Sequence, residues 1–116
     1  MDSNYKKKND FEKRSKESGN VLSKYPDRIP IIVERSKKCI FNDIDKSKYL
    51  VPKDMTMGQF TYIIRKRIKL EPSQTIFISV NGTLSSSTEI VSNVYDDKKD
   101  EDGFLYLCYT NENTFG

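Results

Sequence analysis

An uncharged aromatic run, Phe104-Leu105-Tyr106-Leu107-Cys108-Tyr109, constrains this chain more than any other stretch. A short apolar run with no polar alternation suits an interior strand, buried on both faces. Such a strand cannot stand at an edge. It needs paired strands on both sides and a layer over each face. The remaining sequence must supply these. After the run come a few polar residues, Thr110 to Gly116, so the last residue is a glycine with no side chain to block a narrow reactive cleft.

Composition narrows the function more than the fold. The length of 116 residues suits one domain, with a core of modest size. There is no histidine, which removes the usual general base and the commonest metal ligand. A Ser-His-Asp triad and a His-bearing zinc site are both excluded. Cys39 and Cys108 lack CxxC spacing and read as reduced, packed thiols of a cytosolic protein. No Gly-rich phosphate loop, signal peptide or membrane-length apolar run is present. The sequence therefore predicts no catalytic residues, no metal and no cofactor. Charge is unevenly placed. Residues 29–70 carry ten basic and four acidic side chains, whereas 71–116 carry two and eight. One part of the surface is expected to be basic and another acidic.

Taken in order, residues 1–10 read as a flexible arm or a weak helix. Asp10 caps a helix from Phe11 that Gly19-Asn20 should break in two. That helical stretch is too polar to stand alone and is expected to dock through Phe11, Val21 and Tyr25. Pro26 ends it. Ile29–Arg35 is the first strand, and Lys48-Tyr49-Leu50-Val51-Pro52 a second, antiparallel to it. The prolines Pro30 and Pro52 suggest that this hairpin lies near a sheet edge. Thr56-Met57-Gly58-Gln59 is a capping box, and Phe60, Ile63, Ile64 and Ile68 then repeat at helical spacing. Thr75–Val80 is a third strand, Asn81-Gly82 a tight turn, and Thr83-Leu84 a short strand at most. Ser86–Glu89 resembles another capping box. Residues 96–102 form a solvated acidic loop without the spacing of a calcium site. Gly103 leads into the final strand. This order predicts one mixed sheet with a helix across one face, the last strand parallel to the first.

Three places offer contacts. The Lys48–Pro52 edge beside the helix from Met57 mixes apolar and basic residues, and an unpaired edge can accept a peptide as an added strand. The others are the basic N-terminal segment and the terminal glycine. A nucleic-acid module would need aromatic residues interleaved with the basic face, and the tyrosines lie largely within the strands, so no nucleic acid is expected.

Several motifs in combination identify a family. They are Phe11-Glu12-Lys13-Arg14, Lys24-Tyr25-Pro26-Asp27-Arg28-Ile29-Pro30, Ile32-Val33-Glu34, Lys48-Tyr49-Leu50-Val51-Pro52, Met57-Gly58-Gln59-Phe60, Ile64-Arg65-Lys66-Arg67, Val80-Asn81 and Phe104-Leu105-Tyr106. The chain closely resembles the GABARAP family of autophagy ubiquitin-like modifiers. The resemblance implies an α+β fold: a ubiquitin-like beta-grasp with a four-stranded mixed sheet and two extra N-terminal helices. It divides the chain into a helical extension (1–28), a ubiquitin-like domain (29–110) and a flexible tail (111–116). It implies that Gly116 is activated by a ubiquitin-activating-like enzyme and passed to a conjugating enzyme. The glycine then forms an amide with phosphatidylethanolamine in autophagosome membranes. Between rounds the protein would be cytoplasmic.

The resemblance also implies a groove for aromatic-x-x-aliphatic motifs of cargo receptors. Glu17, Val21, Pro30, Ile32, Lys48, Leu50 and Phe104 would take the aromatic side chain. Tyr49, Val51, Pro52, Met55, Phe60 and Ile63 would take the aliphatic one, with Arg28, Lys46 and Arg67 as a basic rim. A processing and delipidating cysteine protease is a further implied partner, and tubulin another, through residues 1–24. An adaptor that binds cytoskeleton or nucleic acid without conjugation is the alternative. Ser79 and Gly103 stand where the family often has larger residues, so the helical pair is expected to be held less firmly.

Overall fold

The computed structural model describes residues 3–112; Gly116 lies outside them. The elements run α1 (Asn4–Lys8), α2 (Phe11–Lys24), β1 (Arg28–Arg35), β2 (Lys48–Pro52), α3 (Met57–Arg67), β3 (Phe77–Val80), β4 (Thr83–Leu84), α4 (Val91–Lys98) and β5 (Leu105–Thr110). The strands form one sheet in the order β2-β1-β5-β3-β4. All six residues of β5 are buried. The strand lies between β1, parallel to it, and β3, antiparallel to it. The aromatic run is thus the interior strand that its composition demands. The sheet has five strands rather than four, because the short Thr83-Leu84 segment pairs with Val80 and Ser79. Asn81 and Gly82 both take positive φ (52° and 78°), which fits the two-residue turn that their sequence signals.

Two layers cover the sheet. On one face, Met57, Phe60 and Ile64 of α3 meet Ile31, Val33, Leu105, Leu107 and Tyr109 in the main core. The Thr56 box is complete: its hydroxyl accepts from Gln59 N–H (3.1 Å) and its own N–H donates to the Gln59 side chain (2.9 Å). At the other end, Lys69 N–H bonds Lys66 O and Leu70 N–H bonds Arg65 O, with Lys69 left-handed at φ 57°. That is a Schellman closure, and it fixes where α3 stops. The Ser86–Glu89 box makes a turn instead. Glu89 bonds back to Ser86 N–H (3.2 Å), but α4 begins only at Val91, capped by Ile90 without a side-chain bond.

The opposite face carries a smaller cluster of Ile32, Phe104 and Tyr106, covered by Tyr5 of α1. Here the helical extension departs from expectation. Gly19-Asn20 does not break it; α2 is continuous, and the break falls at Asn9, ahead of the Asp10 cap. One glycine in a helix interior costs only about 1 kcal/mol. Phe11 and Tyr25 do not carry the docking, since they stay 48% and 38% exposed. Arg14 and Ser18 carry it. Arg14 donates to the fully buried Asp102 carboxylate at 2.7 Å, Tyr106 hydroxyl donates to the same oxygen at 2.5 Å, and Phe104 N–H donates to its other oxygen at 2.9 Å. Ser18 hydroxyl donates to the Asp102 carbonyl. The acidic stretch is therefore neither all loop nor wholly solvated, since α4 runs through residues 96–98 and Asp102 is buried. Nor does Gly103 loosen the helices. At φ 92°, where side chains are disfavoured, a Cβ would collide with the Ser18 hydroxyl. The missing side chain is what lets α2 approach.

Asp102→Ala would leave the Arg14 guanidinium buried without its partner. It should cost about 3–5 kcal/mol in urea unfolding; a loss under about 1 kcal/mol would show that the pair does not hold the extension.

Candidate functional site

The hairpin edge is set by backbone pairing. Val33 N–H donates to Ser47 O (2.8 Å) and Lys53 N–H to Asp27 O (3.3 Å) at its two ends. In antiparallel pairing, residues alternate between bonding inward and outward. Tyr49 and Val51 therefore bond to Ile31 and Ile29, opposite them in the register. Lys48 and Leu50 direct their N–H and C=O groups away from β1. Among the described residues, nothing pairs with β2 on that side in the sheet. Pro52, next in the outward set, has no N–H to offer.

Beside this edge lies a cavity of about 350 Å³, lined by Glu17, Val21, Pro30, Lys46, Lys48, Tyr49, Leu50 and Phe104. Six of the seven residues expected around the first pocket meet there. Ile32 does not, because it is fully buried beneath, in the cluster under α1. Lys46 and Tyr49, expected on the rim and in the second pocket, join the lining. The second group divides by burial. Val51 and Phe60 belong to the main core, Tyr49 stands edge-on to Phe60 at 5.4 Å, and Met55 and Ile63 pack half-buried against that core. Pro52 is exposed. Five of the six thus pack in or against the main core, and Pro52 alone of them stands at the surface. Of the expected rim, Arg28 reaches Leu50 O at 3.5 Å, Lys46 stands 5.1 Å from the Tyr49 ring, and Arg67 pairs with Asp45 at 3.1 Å.

Charge at the cavity mouth is organised by a residue that sequence reasoning missed. Tyr5 packs edge-on to Phe104 (5.6 Å), its hydroxyl donates to Glu17 (2.7 Å), and Lys48 stands 5.7 Å above its ring. Lys48 in turn pairs with Glu17. A lone tyrosine beside three lysines gives no sequence signal, because its partners lie far along the chain. Burial alone would raise the Glu17 carboxyl, but hydrogen bonds from Lys48 and Tyr5 outweigh it and hold the group below its ordinary 4.5. Burial pushes the Cys108 thiol up to about 11, with Glu34 adding to the effect. Both cysteines are buried and unpaired. No group of acidic, cysteine or histidine side chains suited to a metal ion occurs among the described residues. Nor is any helix there long and apolar enough to cross a membrane.

A beta-grasp sheet crossed by one helix, with a helical extension on its other face, defines a ubiquitin-like protein. The model of the family described as autophagy protein Atg8, ubiquitin-like, matches residues 13–116, and the chain belongs to that family. It is 59% identical over 112 residues to autophagy-related protein 8e of Arabidopsis thaliana, covering 97% of this chain and 92% of the relative. The crystal structure of Trypanosoma brucei ATG8 superposes with a TM-score of 0.92 at 41% identity, all of both chains being covered. Plasmodium falciparum Atg8, solved in complex with a Plasmodium falciparum Atg3 peptide, gives 0.87 at 35% identity, covering 97% and 98%. Members of the family are ubiquitin-like modifiers in autophagy and not themselves enzymes, and this chain is of that kind.

The depressed Glu17 pKa sets a pH window. The contribution of this carboxylate to docking is fully present above pH 4.5 and is lost as pH falls below it, through the folded value. Carbon-detected NMR titration should place its midpoint below 4.5, and Lys48→Ala should raise that midpoint. An unshifted midpoint in the native protein would remove the ion pair from the account. For the thiols, labelling with an aromatic disulfide reagent at neutral pH should proceed only as fast as the protein unfolds. Fast labelling of the native Cys39→Ser variant would show Cys108 to be accessible.

Proposed function

We propose that this protein is a modifier conjugated through Gly116 to phosphatidylethanolamine on autophagosomal membranes. There it recruits cargo receptors carrying aromatic-x-x-aliphatic motifs. The observation that carries the reading is the β2 edge, with its outward Lys48 and Leu50 backbone groups beside an apolar cavity. A peptide could add as a strand there and insert its aromatic side chain between Val21, Pro30, Leu50 and Phe104. Its aliphatic residue would lie against Pro52, Met55 and Ile63, over Tyr49, Val51, Phe60 and the remaining core. Ile32 would support the first pocket from below. Acids before the aromatic residue would meet Lys46 and Lys48, with Arg28 further along the edge and Arg67 beyond. The bound Atg3 peptide of the Plasmodium relative supports a short peptide, including one from a conjugating enzyme, as the kind of ligand.

The division of labour follows the chain. Residues 1–28 shape one wall of the pocket, 29–110 form the ubiquitin-like domain, and 111–116 present the reactive end. The chemistry at Gly116 belongs to partners. An activating enzyme adenylates its carboxylate, because a free carboxylate is a poor acyl donor. A thioester on the conjugating enzyme then passes the acyl group to the lipid amine. A cysteine protease would process and delipidate the protein, moving it between cytoplasm and membrane.

Titration calorimetry with an acidic aromatic-x-x-aliphatic peptide tests the groove. Leu50→Ala should weaken binding about tenfold, which corresponds to about 1.4 kcal/mol. Lys48→Ala should weaken it chiefly at low salt. Unchanged affinity in both variants would remove the pocket. Reconstitution with matched enzymes, ATP and phosphatidylethanolamine vesicles tests the terminus. Intact mass should show one lipid amide at Gly116, and deleting Gly116 should abolish it without altering peptide affinity. Lipidation of the deletion variant would overturn conjugation at this residue.

A further inference from the structure

We infer that, once tethered by its tail, the protein lays the β1–β2 connection on the membrane, with Ile40 as the apolar contact and nearby lysines facing anionic headgroups. This rests on the lipid-conjugation reading above and adds to it a specific orientation. Ile40 is 78% exposed, more than any other large hydrophobic residue among those described. The exposure does not come from a loose loop. Arg35 donates to Cys39 O (2.6 Å), Tyr109 hydroxyl to Asn42 O (2.6 Å), and Asn42 side-chain amide to Ile68 O (3.1 Å). The backbone is held on both sides of Ile40 while its side chain is directed into solvent.

The bond that decides the location is Ile40 N–H to the Asn111 side-chain oxygen, at 3.0 Å. Asn111 follows β5 directly, and Gly116 is five residues further on. Five residues span at most about 18 Å. A lipid amide at Gly116 therefore keeps the Asn111 backbone within that distance of the bilayer, and Ile40 is bonded to the Asn111 side chain. The charges near it suit an anionic surface. Lys37 and Lys38 precede Ile40, and Lys69 follows Ile68, the residue whose carbonyl takes Asn42. The two acids of the connection are held by arginines, Asp43 by Arg35 and Asp45 by Arg67. Glu112 is the exposed acid beside the tail. An isoleucine with lysines a few residues away can enter the headgroup layer with its apolar side chain while ammonium groups remain in that layer. Leu84 of β4, also exposed, lies on the opposite edge of the sheet and lacks this connection to the tail.

The chain contains no tryptophan, so Ile40→Trp introduces a single reporter at a solvent-facing position. The full chain, with a histidine tag after Gly116, would be held on phosphatidylcholine vesicles containing a nickel-chelating lipid, with or without phosphatidylserine. The Ile40→Trp emission should shift to the blue on vesicles and be quenched by brominated lipid, more strongly with phosphatidylserine. Leu84→Trp should show neither change. Identical Ile40→Trp spectra when free and tethered would overturn the proposal, as would equal quenching of the two reporters. Because this tether needs no conjugating enzyme, the outcome does not depend on whether Gly116 is lipidated in the reconstitution.

Discussion

A strand with no exposed residue on either face must be covered twice, and β5 imposes that requirement on the whole molecule. Helix α3 provides one cover through ordinary apolar packing. The other cover is unusual, because α1 and α2 are mostly polar and cannot fold by themselves. They are fastened by a buried carboxylate. Asp102 accepts from Arg14, Tyr106 and its own backbone neighbourhood, so its charge is paired and its acceptor sites are used. Such a buried pair adds less net stability than its contacts suggest, but losing one partner is costly. It makes docking specific: one register of α2 satisfies Asp102, and others leave a charge uncompensated.

The same cover builds the candidate site. Glu17 and Val21 of α2 form one wall of the cavity, and β2 forms the other. Tyr5 touches Phe104 by its ring and Glu17 by its hydroxyl, so α1 supports that wall from behind. The cavity is thus not a property of the ubiquitin-like sheet alone. It exists where the N-terminal helical extension meets the sheet edge, which is why residues from both ends of the chain line it.

Local chemistry was readable from sequence wherever its partners were local. The Thr56–Gln59 box, the Asn81-Gly82 turn and the Asp10 cap each depend on neighbours a few residues away, and the structure has all three. The Ser86–Glu89 stretch carries the same local signal but closes a turn, because α4 begins after it. Long-range pairings were not readable. Asp102 stands in an acidic run that looks solvated, and only the approach of Arg14 shows otherwise. Gly103 looked like a lost packing group, although the space it leaves admits Ser18. In the site, the lining residues on β2 and α2 could be named from motifs. Whether Ile32 faced the cavity or supported it depended on α1, whose docking no local pattern reveals.

The edge of β2 is short on one side for a reason that reaches beyond peptide capture. An open strand edge is a template for pairing with any other chain, and an edge of full length invites stacking of sheet on sheet. Here only Lys48 and Leu50 present both backbone groups outward before Pro52 withdraws the next donor. Lysine at one end and proline at the other leave room for a few hydrogen bonds. That is enough for a short segment whose side chains supply the remaining affinity, and too little for the long, featureless pairing on which fibrils grow. A chain built this way can keep one edge open and still remain separate from its copies.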